Sequence, residues 1–337
     1  MPNSLNPEKV LQFSFAYAPP LMIEAAVKHG LFDALADGPK SADDLAAATK
    51  TSVRGVRILL NGLVGLGLLT HPKPAHYQLT PEADAFLVKG RPAYMGGFFR
   101  HTSSQLIPKW LNLTEIVRTG KPAAAVNAEG EGAAFFEQFV EDIFPLSRRA
   151  AMGLADHLNL PAATSPVSVL DLASGSGVWG VTLAEKSKQV RVTAVDWEGV
   201  IPVTKRVAAR HGVGDRFTYV AGDLDSADFG KNHQIATLGH ILHSEGIERS
   251  KSLLKKTFAV LAPSGTIAIA EWLVAEDRNG PPPGLIFAVN MLVNTERGDT
   301  FSFGEISRWL TAAGFTNPRL VEELPCPSPL ILATKPG

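Results

Sequence analysis

One glycine-rich turn constrains the fold of this chain more than any other feature. Residues 167–180 read VSVLDLASGSGVWG, an apolar run that leads into Gly175-x-Gly177-x-x-Gly180 and then into a helix-compatible segment. Glycines at a strand-to-helix turn let the backbone approach a ligand closely, and the helix start favours negative charge. The pattern therefore predicts a Rossmann-like α/β unit with a ligand at this turn.

The sequence after Val167 alternates between strand-like and helix-like segments, which predicts a parallel sheet with right-handed crossovers. The end of the chain differs, because residues 318–323 and 330–335 are joined by a short link and are expected to pair antiparallel. We expect a mostly parallel seven-stranded sheet with an antiparallel last strand. The other strand-like segments are 167–173, 190–196, 217–223, 235–242 and 266–273, and the helix-like ones are 178–186, 199–211, 247–261, 284–293 and 303–313.

The first 100 residues are predicted to be mainly helical. Ser41 followed by Asp44 resembles a capping box, and residues 52–64 place apolar side chains on one helical face. Two short extended pieces follow, at 67–71 and 76–79, so that the order is helix, turn, helix and hairpin wing. The predicted parts are an all-α winged-helix dimerisation domain over 1–100, a helical connector over 101–160 that contributes to the substrate pocket, and a catalytic domain over 161–337.

The charge balance argues against nucleic acid as a partner. The chain has 32 Lys and Arg against 33 Asp and Glu, for a formal net charge of −1. The segment in the position of a DNA-recognition helix carries only Arg54 and Arg57, whereas DNA-binding modules have a basic face. A dimerising role is therefore preferred, and the apolar helices of residues 10–35 predict a homodimer.

Cysteine content and hydropathy give expectations about location. The one cysteine, Cys326, excludes an internal disulfide framework and an all-cysteine zinc site, and it fits a reducing cytosol. The first residues do not have the pattern of a secretory signal. The longest apolar stretch, 58–69, is too short to span roughly 30 Å of hydrocarbon. We expect a cytoplasmic protein without a membrane partner.

Three acids at strand-end positions select the class of ligand. Asp196 lies about twenty residues after the glycines, as in dinucleotide sites, and suits a ribose diol. Asp171 is four residues before Gly175, where it would crowd a pyrophosphate but suits an ammonium group such as that of a methionine moiety. Asp223 ends the third strand and suits an adenine amino group. An NAD(P)-dependent oxidoreductase is disfavoured by Asp171 and Asp223.

The motifs DLASGSG, AVD and AGD and a strand ending in HILH resemble those of class I S-adenosylmethionine-dependent methyltransferases. With the winged-helix front and Leu242-His243, nearly the whole chain resembles the small-molecule O-methyltransferases that include the hydroxyindole and caffeate enzymes, in a bacterial branch. The resemblance implies S-adenosylmethionine as methyl donor, S-adenosylhomocysteine as product, and no metal. The cofactor-binding residues predicted on this basis are Asp171, Gly175, Gly177, Asp196, Trp197, Asp223, Leu224 and Gly239.

His243 is the predicted general base. In the family the strand-four motif is leucine-histidine-aspartate-tryptophan, and His243 matches the histidine, although Ser244 and Glu245 replace the last two residues. A phenol-like hydroxyl has a pKa near ~10, so a histidine with a pKa near ~6.5 can assist by removing its proton. Glu271, one strand along, matches the family's supporting acid and is expected to hold the other ring nitrogen. His240, three residues earlier, lacks the partners of a metal motif.

The walls of the substrate pocket are predicted in two segments. The helix 284–293 carries Phe287, Asn290 and Met291, and Asn294 follows it. Arg100 and His101 lie in an apolar context and are predicted to anchor the acceptor.

These observations favour O-methylation of a small aromatic or heteroaromatic hydroxyl. The alternatives are an N- or C-methyltransferase of the same fold, and a winged-helix regulator that senses S-adenosylmethionine without turnover.

Overall fold

A computed structural model describes residues 6–122, 125–126, 129–321 and 328–337 of the chain. The described chain forms two compact units, Met1–Pro108 and Lys109–Gly337, and the predicted connector is divided between them. Cys326 lies outside the described residues. Within the described residues, none of the helices is both long and apolar enough to cross a membrane.

The first unit combines short helices with a small antiparallel sheet. Pro19 and Pro20 stand in the first turn of α2, where a backbone N–H has no partner within the helix and its absence costs nothing. Its elements are α1 (Glu8–Leu11), α2 (Ala18–Lys28), α3 (Leu31–Leu35), β1 (Lys40–Ser41), α4 (Ala42–Thr49), α5 (Val53–Gly65), β2 (Leu69–Thr70), β3 (His76–Leu79) and α6 (Pro81–Leu87).

The predicted helix-turn-helix and wing are present in this unit. Ser41 and Asp44 form a full capping box at the start of α4, and the Ser52 side chain accepts a hydrogen bond from Gly55 N at the start of α5. The hairpin β2–β3 is the expected wing, and β1 adds a third strand in the order β1-β3-β2. One apolar core holds the helices against this sheet, with Leu45 and Leu60 fully buried.

The second unit is a layered α/β domain. Its helices are α7 (Ile107–Trp110), which begins at the unit boundary, α8 (Leu113–Thr119), α9 (Glu129–Phe139), α10 (Phe144–His157), α11 (Val178–Lys186), α12 (Ile201–Arg210), α13 (Leu242–Val260), α14 (Pro282–Asn294) and α15 (Phe303–Ala313). Its strands are β4 (Val167–Leu172), β5 (Val190–Asp196), β6 (Phe217–Ala221), β7 (His233–Gly239), β8 (Leu261–Ala270), β9 (Thr316–Val321) and β10 (Leu330–Thr334).

The seven strands form one sheet in the order β6-β5-β4-β7-β8-β10-β9. The pairs from β6 to β8 are parallel, and β10 runs antiparallel to both β8 and β9. This confirms the predicted mostly parallel sheet with an antiparallel last strand. The strand order reverses between β4 and β7, so the carboxyl ends of these strands flank the crevice where ligands of open α/β sheets bind.

The sheet is covered on both faces, as its nearly continuous apolar strands require. Helices α10, α11 and α12 pack on one face, and α13 and α15 pack on the other. Successive strand residues divide between the two cores: Val169 lies in the first, and Leu170 lies in the second.

One predicted boundary is wrong in a way that matters for function. The segment 235–242 was expected to be a strand that ends near His243, but β7 stops at Gly239 and His243 is the second residue of α13. His240 takes a left-handed backbone conformation, with φ +62°, which ends the strand. The Glu271 carboxylate then accepts hydrogen bonds from the free N–H groups of Leu242 and His243 and so caps the start of the helix.

Candidate active site

The glycine turn between β4 and α11 is held by the end of the neighbouring strand. Gly175 and Gly177 have φ angles of +55° and +75°, in the left-handed region that favours glycine. Gly175 N donates to Asp196 Oδ2 at 2.7 Å, and Gly175 O accepts from Thr204 Oγ1 at 2.7 Å. The other Asp196 oxygen accepts from Trp197 N at 2.7 Å. The turn is therefore preorganised by contacts on both its N–H and its carbonyl.

Asp196 sits in an environment that disfavours its charge. Burial raises the pKa of Asp196 to about 6, although the bonds from Gly175 N and Trp197 N favour the ionised form. A ligand that donates a hydrogen bond to the Asp196 carboxylate would stabilise its ionised form.

Asp171 was predicted at the strand end, facing the ligand, and it is the last residue but one of β4, with its side chain buried between the sheet and the start of α11. It belongs to β4 and is completely buried. Its oxygens accept from Gly180 N at 3.0 Å and from Thr237 Oγ1 at 2.7 Å. Burial raises the pKa of Asp171 to about 7, and the nearby Asp196 adds to the rise. Asp171 thus ties the start of α11 to β7 from beneath the glycine turn.

The buried charge of Asp171 leads to a stability prediction. A carboxyl whose folded-state pKa is raised from near 3.8 to about 7 binds its proton more tightly when folded. Its contribution to stability therefore falls as pH rises from roughly 4 to roughly 7. Asp171→Asn keeps an oxygen for Gly180 N and an amide donor for the Thr237 hydroxyl, and it removes the charge. We expect a higher melting temperature than wild type at about pH 8, by calorimetry without ligand, and a difference that shrinks toward about pH 5.

The control for this variant is Asp215→Asn, which neutralises an exposed carboxylate. It should leave the melting temperature within about 1 °C of wild type at both pH values, since isolated surface charges contribute little. A lower melting temperature of Asp171→Asn at about pH 8 would contradict the prediction.

Asp223 lies just beyond β6 and belongs to a charged cluster. Asp223 Oδ1 accepts from Asp225 N at 2.9 Å and from Arg249 Nη2 at 3.1 Å. Although partial burial acts to raise the pKa of Asp223, the bonds from Asp225 N, from Arg249 and from the Trp197 indole lower it below its usual value. The carboxylate is therefore ionised and keeps acceptor capacity, because each carboxylate offers about four lone-pair sites.

The remaining predicted cofactor residues frame the same edge of the sheet. Leu224 is buried, and its carbonyl accepts from Lys256 Nζ at 2.8 Å. A Cβ at Gly239 would lie only 2.0 Å from Nε1 of the Trp179 indole, so the end of β7 and the start of α11 touch there. The Trp197 ring packs against the Phe136 ring, with centroids 6.2 Å apart.

His243 and Glu271 form a buried pair beside these strand ends. His243 Nδ1 lies 2.6 Å from Glu271 Oε2, and both side chains are at least nine-tenths buried. Burial acts to raise the pKa of Glu271, but the His243 imidazole outweighs it and lowers the pKa below the usual value. An ionised carboxylate accepts the Nδ1–H of the ring, and in the neutral form of a ring held in this way Nε2 is the acceptor nitrogen.

Aromatic rings surround this pair. The Phe287 ring meets the His243 ring edge-on at 4.9 Å, and the Trp272 ring stacks on Phe287 at 5.3 Å. His240 lies 6.4 Å from His243 between ring centroids, and its Nε2 is 2.7 Å from Ser328 Oγ. Among the side chains that the structure describes, no three His, Cys, Asp or Glu residues group as a metal site would require.

The predicted substrate residues of α14 pack around one buried amide. Asn290 Oδ1 accepts from Trp110 Nε1 at 3.1 Å and from Asn294 Nδ2 at 3.1 Å. Asn294 is buried, and its Oδ1 has no hydrogen-bond partner within the described residues. Met291 is buried in the same turn. A buried acceptor without a partner is costly, so this oxygen is the unsatisfied group of the cluster within the described residues.

Arg100 and His101 end a 3₁₀ turn in the first unit. Arg100 is exposed, and His101 is buried. They remain predicted substrate residues.

Sequence reasoning missed three polar or aromatic residues of this region. Glu245 is buried and pairs with Arg249, and Trp272 follows Glu271 directly. The sequence shows the pair of Glu245 and Arg249, four residues apart, but not the bonds from Arg249 to Asp223 and Asp225, which precede it by 26 and 24 residues.

Family models match most of the chain. Residues 11–89 match the O-methyltransferase dimerisation domain, and residues 110–316 match the O-methyltransferase domain. This order is the one predicted from the sequence, and it decides against the oxidoreductase alternative.

Two curated bacterial relatives align over most of their length. The chain is 31% identical to 3-hydroxy-5-methyl-1-naphthoate 3-O-methyltransferase of Streptomyces sahachiroi, over 89% of this chain and 86% of the relative. It is 28% identical to the tetracenomycin polyketide synthesis 8-O-methyl transferase TcmO of Streptomyces glaucescens, over 98% and 97%.

Solved structures share the complete fold. A candidate O-methyltransferase from Nostoc punctiforme superposes with a TM-score of 0.89 at 27% identity, covering 98% of this chain and 100% of that one. Human N-acetylserotonin methyltransferase, solved in complex with S-adenosylmethionine, gives a TM-score of 0.81 at 23% identity over the full length of both chains, which establishes the shared fold. The chain therefore belongs to the O-methyltransferase family, as a small-molecule, S-adenosylmethionine-dependent enzyme with an N-terminal dimerisation domain.

Proposed function

We propose that this O-methyltransferase methylates a hydroxyl of a small aromatic or heteroaromatic metabolite, with His243 as general base. The observation that carries the proposal is the 2.6 Å contact between His243 Nδ1 and Glu271 Oε2 at the carboxyl edge of the sheet. A carboxylate behind one ring nitrogen holds the ring in the tautomer whose other nitrogen accepts a proton.

The residues of the glycine turn fit S-adenosylmethionine, which supplies a methyl group on a positively charged sulfur. Gly175 and Gly177 leave backbone space at the turn, and Asp196 offers a carboxylate to a diol. Asp223, with its lowered pKa, offers an ionised acceptor to an amino group. Asp171 supports the turn from beneath and acts as a positioning residue for Gly180 and α11.

His243 would hold the acceptor proton at Nε2. A hydroxyl is a weak nucleophile while it is protonated, and proton removal by a positioned base contributes about 10²–10⁴-fold. Glu271 stabilises the imidazolium that forms, since it is ionised and hydrogen-bonded to Nδ1. It also fixes the position of the ring, because it caps the helix start that carries His243.

An aromatic acceptor suits the surroundings of the base. Phe287 meets the imidazole edge-on, and Trp272 stacks on Phe287, so the base lies in an apolar, aromatic environment that favours an aromatic acceptor. Asn294 Oδ1, which has no hydrogen-bond partner among the described residues, is proposed to accept from a second donor group of the acceptor. Arg100 and His101 are also proposed as substrate-binding residues.

The curated relatives point to the same class. Their names specify a hydroxynaphthoate and a polyketide as the molecules on which they act. We therefore propose an acceptor with a phenolic hydroxyl on a fused or substituted aromatic ring.

Two measurements test this function. S-adenosylhomocysteine at about millimolar concentration should raise the melting temperature of the full-length chain, because a ligand that binds only the folded state stabilises it. Incubation with S-adenosylmethionine and a panel of hydroxynaphthoates, catechols and hydroxyindoles should give methyl ethers detectable by mass spectrometry. Methylation only of amine or carbon nucleophiles in a matching panel would replace the O-methyl assignment for this chain.

The homodimer is proposed from the first unit. Apolar side chains at the start of the chain are largely exposed, among them Phe13, Phe15 and Tyr17. Such a run on a single chain indicates a surface that another chain covers. The match of residues 11–89 to a dimerisation domain supports the same reading.

Charged substitutions in this run should separate the subunits. Phe13→Asp combined with Phe15→Asp is expected to convert a dimer into a monomer, because buried charges without partners oppose association. Light scattering coupled to size exclusion measures the mass. Lys9→Asp, a charge change in the same region, is the control and should leave the dimer intact. A wild-type chain that elutes as a clean monomer would contradict the proposal.

A further inference from the structure

Arg249 on α13 bonds to carboxylates from two different parts of the proposed site. Its Nη2 lies 3.1 Å from Asp223 Oδ1, and its Nη1 bonds to Asp225. Its Nε pairs with Glu245, which is buried and lies two residues after His243. One guanidinium therefore holds the loop after β6 and the turn that carries His243.

The two anchored segments have different tasks in the proposed function. The loop at Asp223 belongs to the adenosine end of the cofactor site. The His243 turn, residues 241–246, presents the base to the acceptor. This turn is not a continuous part of α13, because Gly246 has a non-helical conformation, with φ +72° and ψ 178°. The long helix alone therefore does not fix the orientation of His243.

The chemistry of the cluster favours arginine at this point. A guanidinium offers five donors in a planar fork, so it can serve three carboxylates at once. The pKa of Glu245 is raised by burial, which Arg249 offsets by its hydrogen bond and charge. Without Arg249, three acids would face one another with less compensation, and repulsion would push the Asp223 loop and the His243 turn apart.

Lys256 is a second cation at the loop after β6, and its contacts differ from those of Arg249. Its Nζ binds the carbonyl oxygens of Leu224, Asp225 and Ala227, so it fastens the same loop by its backbone. No bond joins Lys256 to the His243 turn in the described structure. Of these two cations, Arg249 alone connects the loop to the turn.

We propose that Arg249 is a positioning residue that couples the adenosine end of the cofactor site, at Asp223, to the turn that carries the base His243. The inference rests on the proposed function. A ligand that orders Asp223 then also orders the His243 turn, through the guanidinium and Glu245.

Amide hydrogen exchange on the full-length chain tests the coupling. In wild type, S-adenosylhomocysteine is expected to slow exchange both in residues 222–227 and in residues 241–246. Arg249→Gln should weaken S-adenosylhomocysteine binding by about tenfold in calorimetry, as expected for a lost hydrogen bond to a charged group. At saturating ligand it should retain protection of residues 222–227 and lose protection of residues 241–246. If Arg249 had only a structural role, Arg249→Gln would speed amide exchange in general, and the ligand would still protect the same segments.

Matched variants sharpen the test. Glu245→Leu removes both acceptor oxygens and so cuts the link from the other end. It should abolish ligand protection of residues 241–246 while changing affinity less than twofold. Lys251→Gln removes a charge two residues away on the same helix, where the partner Glu248 is exposed, and should match wild type in both measurements. Arg249→Lys should restore only part of the coupling, since an ammonium is not a fork.

Outcomes separate this inference from the proposed function. If wild type binds S-adenosylhomocysteine and Arg249→Gln still shows full ligand protection of residues 241–246, the coupling is wrong and the function stands. If wild type does not bind S-adenosylhomocysteine, the proposed function fails first. If Arg249→Gln does not fold, Glu245→Leu decides, and retained protection of residues 241–246 in that variant overturns the coupling.

Discussion

Replacing His243 with alanine is expected to lower kcat by about 10²-fold or more while leaving the affinity for S-adenosylhomocysteine nearly unchanged. The imidazole is the base in the proposed reaction, and its ring nitrogen bonds to Glu271 rather than to any residue of the glycine turn. The loss should shrink as pH rises toward the pKa of the acceptor hydroxyl, because the oxyanion then forms without a base. Steady-state kinetics across pH, with the acceptor found in the panel, give both results.

Two variants control this experiment. Glu271→Gln should cause a smaller loss than His243→Ala, because it weakens the hold on the ring but leaves the base in place. His211→Ala removes an imidazole that makes the same kind of contact, 2.8 Å from Glu185 at a partly exposed site, and should leave kcat within about twofold of wild type. An unchanged rate for His243→Ala, at a pH where the acceptor hydroxyl is still protonated, would remove His243 from the mechanism.

The overall architecture followed from local patterns in the sequence. Apolar runs alternating with helix-compatible segments specified the parallel sheet, and the glycines after β4 specified the turn. The proximity of His243 to Glu271 also followed, because residues after neighbouring parallel strands meet at one edge of the sheet. Each of these inferences depends on period or on position in the chain, which a sequence records directly.

What the sequence did not indicate depends on tertiary contacts. Asp171 lies four positions before the first glycine, yet its side chain is buried and accepts a hydrogen bond from Thr237 of the neighbouring strand. The strand β7 ends before His243 because His240 adopts a left-handed backbone conformation. A histidine in the sequence does not predict that conformation. In the sequence, Arg249 is a charged residue of a predicted helix, and only the folded structure shows its hydrogen bond to Asp223. These features arise from the packing of segments that are distant in the chain.

Replacing Asp196 with alanine is expected to remove most of the rise in melting temperature that S-adenosylhomocysteine gives the wild type. The carboxylate would accept hydrogen bonds from the ligand diol, and it also holds Gly175 N and Trp197 N at the turn. Loss of the carboxylate removes an acceptor for the ligand and also the two hydrogen bonds that hold the glycine turn. We therefore expect the affinity for S-adenosylhomocysteine to weaken by about 10²-fold. Isothermal titration of the full-length chain measures the affinity.

A matched control separates this effect from the loss of a turn carboxylate in general. Asp228 also accepts a hydrogen bond from a glycine N–H, Gly230 N at 2.9 Å, but it lies before β7 at the opposite edge of the sheet. Asp228→Ala should leave the affinity for S-adenosylhomocysteine within about twofold of wild type. Equal weakening by Asp196→Ala and Asp228→Ala would mean that Asp196 acts on the fold rather than on the ligand.

The pH dependence of ligand affinity gives a second, independent test of whether the ligand contacts the Asp196 carboxylate. Burial raises its pKa to about 6, so a growing fraction of the free protein carries a protonated Asp196 as pH falls through that value. A ligand that hydrogen-bonds to the carboxylate prefers the ionised form, and its affinity should therefore decrease as pH falls from about 7 to about 5. Asp196→Asn cannot titrate, so its weaker binding should show less dependence on pH over the same range. Wild-type affinity that stays constant across this range would contradict a direct contact between the ligand and the Asp196 carboxylate, because such a contact requires the proton to be lost before the ligand binds.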